Sequence, residues 1–202
     1  MPAPIKVELV PHSLEWEEKA RVESERILSA LGANVIAVHH IGSTSISNIC
    51  AKPILDLLPE VESLLVLDQD KNKIQTLGYE WWGEYGIANR RYCTLSDETT
   101  GRRLVQLHCF ETGDPEIEKH LAFRNFLRAN PAKAREYDAE KRRCRDLHPD
   151  DSHAYSDAKA GWIAAQMPNA ISFYRAGKRN EQTRNHKTGH NQMRSAGQGE
   201  MQ

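Results

Sequence analysis

A short turn of small residues and a lone acid, in neighbouring apolar segments, are the features of this sequence that could do chemistry together. Gly42, Ser43 and Thr44 follow one apolar segment, and Asp56 interrupts the next. A glycine at a strand end lets backbone N–H groups face a concavity, and the two hydroxyls add donors, which suits phosphate oxygens. A carboxylate on an adjacent strand could hold Mg²⁺ against those oxygens. The pattern indicates metal-dependent chemistry on a phosphate ester, and the alternative is a chance Gly-Ser pair beside a structural acid.

Cationic side chains are further candidates for such a site. Lys52 is close in sequence to the turn, where its charge could neutralise phosphate. Arg90 and Arg91 flank the start of a predicted strand, so one should face inward and one outward; for either, a surface ion pair is the alternative. Tyr155 and Lys159 are i, i+4 neighbours on a predicted helix, where the alternative is a pairing on the helix surface.

An alternation of helical and extended patterns must position these residues. The segment 13–32 has the spacing of an amphipathic helix that ends at a glycine. Further patterns predict strands over 35–40, 53–61, 79–82, 90–95 and 102–110, and helices over 63–78, 114–130, 130–147 and 152–166. This order predicts an α/β (α+β) fold with a mixed β-sheet flanked by helices and a C-terminal helical part.

The segment 53–61 is apolar on both faces except at Asp56, so we expect a central strand, with Pro59 marking its end or an exposed edge. An ionised carboxylate buried without partners costs several kcal/mol. We therefore expect Asp56 to lie at the C-terminal end of its strand and to face the same cleft as Ser43 and His108.

Composition and charge exclude several classes of protein. The chain has 202 residues, a formal net charge of −1, a pI of about 6.8 and a mean hydropathy of −0.66. The bulk charge therefore predicts neither a nucleic-acid nor a membrane partner, and no run approaches the roughly 18 apolar residues of a membrane span. The four cysteines include no C-x-x-C pair, which excludes a compact zinc ribbon and a dithiol redox motif. With no signal-peptide pattern at the N-terminus, a cytoplasmic location is the expectation.

The C-terminal segment differs in composition from the rest. From residue 178 onward the chain is almost wholly polar, with Met193, Ala196 and Met201 as the apolar exceptions. So few apolar groups cannot offset the entropy lost on ordering. We therefore expect one domain over 1–175 and a polar, disordered tail over 176–202.

The segment HIGSTSISNICAKPILDLL resembles the signature of the GrpB family, an uncharacterised group (UPF0157) assigned to the nucleotidyltransferase superfamily. In that family a segment like H-I-G-S-T-A-V-P-G-L-A-A-K-P-I-I-D-I is typical. Further matches follow in order in GYEWWGEYGIANRRY, LHCFE, HLAFRNFLRANP and the helices after them, so the resemblance covers residues 7–167. Asn48 and Asn89 stand where the glycine of a Pro-Gly pair is usual. The resemblance implies a nucleotidyltransferase-like sheet.

The resemblance also implies a function: a metal-dependent nucleotidyltransferase that acts on an NTP and an unidentified small acceptor, with Mg²⁺ as cofactor and Mn²⁺ as the alternative. The catalytic residues that it implies are Asp56 and His108. The phosphate-binding residues are Gly42, Ser43, Thr44, Lys52, Arg91 and Lys159. The metal ligands are Asp56, Glu84 and His108.

Two departures from the superfamily pattern keep other functions open. The superfamily has a second acid two residues after the first and another on a later strand, and this chain has Leu58 and Gln106 there. One carboxylate binds Mg²⁺ poorly. Either Glu84, His108 or Glu111 completes the site, or the fold is a non-catalytic nucleotide-binding or regulatory module. A protein-binding domain without a nucleotide is a third hypothesis, and the sequence alone sets neither the acceptor nor the oligomeric state.

Overall fold

The computed structural model describes residues 4–196, with side chains described as far as residue 180. Within these residues one sheet contains five strands: β1 (Val35–Ile41), β2 (Leu55–Val61), β3 (Glu80–Trp81), β4 (Arg91–Ser96) and β5 (Arg103–Glu111). The strand order is β1-β2-β5-β4-β3. Strands β2 and β5 run parallel and the other neighbours antiparallel, so the sheet is mixed, as predicted.

Helices cover both faces of this sheet and form the C-terminal part of the described chain. They are α1 (Glu15–Leu31), α2 (Leu64–Gln69), α3 (Lys71–Thr76), α4 (Pro115–Ala129), α5 (Pro131–Leu147) and α6 (Ser152–Ala196). The Asp114 side chain accepts a hydrogen bond of 2.8 Å from the backbone N–H of Glu116, and prolines take the first positions of α4 and α5. Those two helix starts are confirmed as predicted, and so is the fold class.

Strand β2 is the centre of the packing because it is apolar on both faces. On one face Leu55 and Leu57 join Leu107 and Cys109 of β5 in a core closed by Trp16 and other residues of α1. On the opposite face the fully buried Leu58 packs with apolar residues of β1, β5 and α4, which are Ile41, Phe110, Ile117 and Leu121. The interior position predicted for this strand is confirmed.

Pro59 does not mark the end or the edge of β2. It lies inside the strand, paired with Val38 of the edge strand β1. The ladder between β2 and β5 passes from the Leu57–Leu107 pair to the Glu60–Phe110 pair without a pair at Pro59. A proline has no N–H to donate, and here the interruption falls within an interior strand rather than at its end.

Helix α6 is continuous to Ala196 in the backbone and contains Pro168. Its first turns pack against the N-terminal segment: Tyr155, which is 1% exposed, packs with Val7, and the Ser152 N–H donates to the carbonyl of Ile5 at 3.0 Å. The helix extends into the segment for which the sequence predicts disorder, and that segment's side chains beyond residue 180 lie outside the described residues. The division into a domain over 1–175 and a separate tail over 176–202 stays a prediction.

No helix in residues 4–196 combines the length and the apolar composition needed to cross a lipid bilayer. All four cysteines are free and buried.

Candidate functional site

The turn after β1 forms a compact elbow, Gly42 to Ser45. Gly42 has a φ of 68°, and Ser43–Ser45 make one turn of 3₁₀ helix. The Ser45 hydroxyl donates to the Gly42 carbonyl at 2.7 Å, and the Thr44 hydroxyl lies 2.8 Å from Nε2 of His40. The elbow predicted from the sequence is present, and its own hydroxyls hold its shape.

Asp56 lies directly against this elbow. It pairs with Ile41, the last residue of β1, so its carboxylate faces Gly42. A Cβ placed on Gly42 would overlap Oδ2 of Asp56 and come within 2.9 Å of its Cβ. The positive φ and this close approach both require glycine at position 42. Because β1 and β2 are antiparallel, the residue beside the elbow is at the start of β2; the expectation that Asp56 lies at the C-terminal end of its strand is wrong.

His108 connects Asp56 to a buried arginine. Its Nε2 lies 3.5 Å from Oδ1 of Asp56, and its Nδ1 lies 3.4 Å from a terminal nitrogen of Arg90. A guanidinium only donates, so the contact with Arg90 makes Nδ1 the acceptor. The proton of a neutral His108 then resides on Nε2 and faces Asp56.

Asp56 is a paired carboxylate rather than an isolated one. Its side chain is 29% exposed. Burial acts to raise its pKa, but the contact with His108 and the positive charges of Lys52 and Lys159 together hold that pKa below its usual value. Two of these partners, His108 of β5 and Lys159 of α6, are distant from Asp56 in sequence, whereas Lys52 is four residues before it.

Two lysines with unusual environments complete this charge cluster. Lys52, just before β2, has a pKa lowered to about 8 by burial and then by the charge of Lys159. Burial also lowers the pKa of Lys159 on α6. The ammonium groups of Lys52 and Lys159 lie 5.6 and 4.8 Å from the centre of the Tyr155 ring.

These groups line one cavity of about 230 Å³, which we call the site cavity. The polar residues of its wall that the sequence singled out are Gly42, Ser43, Thr44, Lys52, Asp56, Gln106, His108 and Lys159. The two catalytic residues and five of the six phosphate-binding residues implied by the family resemblance therefore share one cavity.

Arg91 and Glu84 do not reach this cavity. The guanidinium of Arg91 pairs with both carboxylate oxygens of Asp68, at 2.6 and 2.7 Å. Glu84 accepts from the N–H of Asn89 at 2.8 Å and otherwise lies 4.0 Å from Arg91. Adjacent residues of a strand point to opposite faces, and Arg90 takes the inward face. Glu111, the other acid considered, accepts from the N–H of Leu64 instead.

Three residues at or beside the cavity were not among the site residues that the family resemblance implied. Arg90 is 6% exposed and contacts His108. The sequence indicated that either Arg90 or Arg91 would face inward, because adjacent residues of a strand point to opposite faces. His120 of α4 lines the cavity 5.7 Å from the His108 ring, and burial, then the charge of His108, lower its pKa to about 3. Tyr137 of α5 forms a side-chain hydrogen bond with Ser43. Burial raises the pKa of Tyr137 to about 12, although this hydrogen bond acts to lower it. No local pattern links Tyr137 to the elbow.

A resident Mg²⁺ does not fit these residues. Among the described residues no group of three or more His, Cys, Asp or Glu side chains is placed to hold a metal ion. The position of the second acid, Leu58, is fully buried under α4, and Gln106 is the ladder partner of Asp56. Asp56 already faces Lys52, Lys159 and His108. This donor set suits an anion better than a divalent cation.

Comparisons with known proteins place the chain among relatives of similar sequence. The family model described as GrpB protein matches residues 6–169. UPF0157 protein YqkA of Bacillus subtilis is 41% identical over 165 residues, which are 82% of this chain and 47% of that protein, so the chain spans about half of the length of this relative. The crystal structure of conserved protein GrpB from Enterococcus faecalis superposes with a TM-score of 0.77 at 34% identity, over 83% of this chain and 99% of that one. The Cid1 poly(U) polymerase aligns at a TM-score of 0.42 and 15% identity over 59% of this chain, which is too weak to bear on activity.

Proposed function

The chain belongs to the GrpB family, and we propose that it binds the phosphate chain of a nucleotide in the site cavity. One observation carries the proposal. The Gly42 elbow with its hydroxyls meets two partly buried lysines, Lys52 and Lys159, around a single carboxylate. The resemblance of GrpB proteins to nucleotidyltransferases supports a nucleotide as the phosphate compound. A cytoplasmic location, where nucleotides are abundant and the four cysteines would stay reduced, is part of the proposal.

The charge balance of the cavity favours an anion. Lys52 and Lys159 carry positive charges and Asp56 carries a negative one, so the wall has an excess of positive charge at neutral pH. The lysines are largely shielded from water, and a charge pair in such surroundings interacts more strongly than at an open surface. A phosphate oxygen in the cavity would also relieve the mutual repulsion that helps to lower the pKa of Lys52.

In this proposal binding needs no resident metal ion, because the lysines supply the positive charge that a metal would supply elsewhere. A Mg²⁺ that arrives on the nucleotide is then part of the ligand. Asp56 acts by holding His108, whose Nε2 lies 3.5 Å from its Oδ1.

The contact between Asp56 and His108 favours a second candidate, transfer of a nucleotidyl group to a small acceptor. In that reaction an acceptor hydroxyl attacks the α-phosphorus, the bond from this phosphorus to the bridging oxygen breaks, and pyrophosphate leaves. The proton of the hydroxyl would pass to the pair formed by Asp56 and His108. We rank this candidate second, because a carboxylate with a lowered pKa is a weak base and both nitrogens of His108 have partners.

Thermal unfolding of the full chain with ATP, GTP, CTP, UTP or inorganic tripolyphosphate tests the proposal, each in EDTA and in Mg²⁺. A ligand at 100 times its Kd should stabilise the protein by about 2.7 kcal/mol, a rise in Tm of roughly 5–10 °C. We expect this rise in EDTA, and its loss in Lys52→Gln and Lys159→Gln but not in Lys19→Gln, which changes an exposed lysine of α1.

No rise with any ligand contradicts the proposal, and a rise that requires Mg²⁺ with tripolyphosphate contradicts metal-independent binding. Pyrophosphate release in the same samples would support the second candidate.

A further inference from the structure

A second, larger cavity adjoins the site cavity. It measures about 690 Å³, and we call it the ring cavity because the aromatic rings of Trp82, Tyr85 and Tyr92 line it. Four residues line both cavities: Lys52, Gln106, His108 and Ser156. The two cavities therefore adjoin each other at these side chains, which brings the ring cavity within reach of a ligand bound at the elbow.

The rings of this cavity are already arranged as a stack. Tyr85 and Tyr92 lie with ring centres 4.9 Å apart and planes inclined by 14°, and Trp82 lies 6.4 Å from Tyr85. The guanidinium carbon of Arg90 is 4.8 Å from the centre of the Tyr92 ring. Stacked aromatic rings beside a guanidinium offer the surroundings that a flat, polarisable ring prefers.

The loop that carries Tyr85 is held in a conformation that this residue rarely adopts. Tyr85 has a φ of 45°, and its neighbours Gly83 and Gly86 have φ values of 62° and 79°. The side chain of Arg90 donates to the carbonyls of Glu84 and Tyr85, and these two hydrogen bonds hold the loop in place. A bulky residue held at positive φ is unusual and is found most often where a ligand or a catalytic group needs a fixed side chain.

We propose that the ring cavity takes the aromatic base of the nucleotide whose phosphates lie at the elbow. The inference rests on the function proposed above and adds to it the nucleoside end of the ligand. The base would stack against the ring of Tyr85, with the polar side chains of Gln106, His153 and Asp157 in the same wall available to its edge. Arg90 then contributes to both parts of the nucleotide site, because it donates to a carbonyl of the Tyr85 loop at the base end and contacts His108 at the phosphate end.

Titration calorimetry of the full chain with ATP and with inorganic tripolyphosphate, in EDTA, tests this inference. ATP should bind at least about tenfold more tightly than tripolyphosphate, since base stacking on an aromatic side chain typically contributes that much or more. Tyr85→Leu removes the ring and should reduce the preference for ATP about tenfold while leaving tripolyphosphate affinity unchanged. Tyr85→Phe keeps the ring and should retain the preference. Phe173→Leu, an exposed aromatic residue of α6 outside both cavities, is the matched control.

Each other outcome overturns the inference in a recognisable way. If tripolyphosphate binds as tightly as ATP, the result supports the phosphate site at the elbow and contradicts the base site in the ring cavity. If Tyr85→Leu, folded as judged by circular dichroism, keeps the full preference for ATP, the base lies elsewhere. If neither ligand binds the unmodified chain, the proposed function and this inference fall together.

Discussion

Gly42 and Asp56 are in such close contact that no side chain fits at position 42. The carboxylate of Asp56 occupies the place where a Cβ would stand, and the glycine has a φ of 68°. The elbow and Asp56 are therefore one structural unit, and a substitution at either position alters the packing at the other.

Gly42→Ala should destabilise the protein through both causes. Gly42 has a φ of 68° and a ψ of −171°, a conformation that glycine almost alone adopts, and forcing an alanine into it costs about 1–3 kcal/mol. The overlap with Asp56 adds to this cost, so we expect Tm to fall by more than about 5 °C. Gly101→Ala is a matched control, because Gly101 has the same φ of 68° with no atom within 4 Å of an added Cβ. The double variant Gly42→Ala, Asp56→Ala should recover most of the difference between the two. Equal losses of Tm for the two single variants would show that the contact with Asp56 is not tight.

Asp56→Asn should lower the stability at neutral pH by about 1 kcal/mol, the scale of one hydrogen bond to a charged group in a partly exposed site. The pKa of Asp56 is lowered in the folded state. Its contribution is therefore fully present above the ordinary aspartate pKa of about 4 and is lost as the pH falls through the lowered pKa. Urea unfolding of both proteins between about pH 7 and 2 should show the difference shrinking at the acid end. An Asn variant that is more stable at pH 7 would mean that partly burying the charge of Asp56 costs more free energy than its contacts with His108 and the lysines contribute.

Anion binding should weaken as the pH rises through the pKa of Lys52, about 8. Lys52 is charged below that pH and neutral above it; Lys159 and Arg103 act to lower its pKa and Asp56 acts to raise it. We expect tripolyphosphate affinity to fall between about pH 7 and 9.5, measured by calorimetry above the range in which an ordinary histidine titrates. Lys52→Arg keeps its charge throughout and should remove this step. A flat profile for the unmodified chain would exclude Lys52 from the anion's contacts.

Arg90→Ala should be far more damaging than Arg91→Ala. Arg90 is buried and donates to two carbonyls of the Tyr85 loop as well as to His108, so its loss leaves three partly buried acceptors without this donor. We expect a fall in Tm of about 4–8 °C, equivalent to roughly 2 kcal/mol, with weaker nucleotide binding. Arg91 pairs with Asp68 in a partly exposed site, and its loss should shift Tm by about 2 °C or less. Similar losses for both variants would contradict the inward orientation of Arg90.

The fold could be predicted from the sequence where local patterns decide it. The apolar run around Asp56 indicated an interior strand, and the Asp114-Pro115 and Asn130-Pro131 pairs indicated the starts of α4 and α5. The family resemblance also showed asparagines in place of two glycines. Asn48 and Asn89 have φ values of 63° and 61°, and asparagine is among the non-glycine residues that tolerate this conformation best.

The site could be predicted only in part because its charges meet through tertiary structure. Local sequence gave the alternation of Arg90 and Arg91 but not which of them faces inward, since that depends on the register of β4 against β5. It gave no sign that Lys159 reaches Asp56, because α6 is brought to the sheet by packing. The burial of Leu58 depends likewise on α4 covering that face.

The wall of the site cavity is assembled from an N-terminal elbow, a strand near the middle of the chain and the first turns of α6. Contacts between segments so far apart in sequence form late, because closing long loops must precede them. A ribosome-bound chain that ends before Lys159 therefore has the elbow and Asp56 but lacks one of the two lysines of the cavity wall. In the function proposed above, binding therefore requires Lys159 as well as the elbow, and a bound nucleotide would link the elbow after β1 to the first turns of α6.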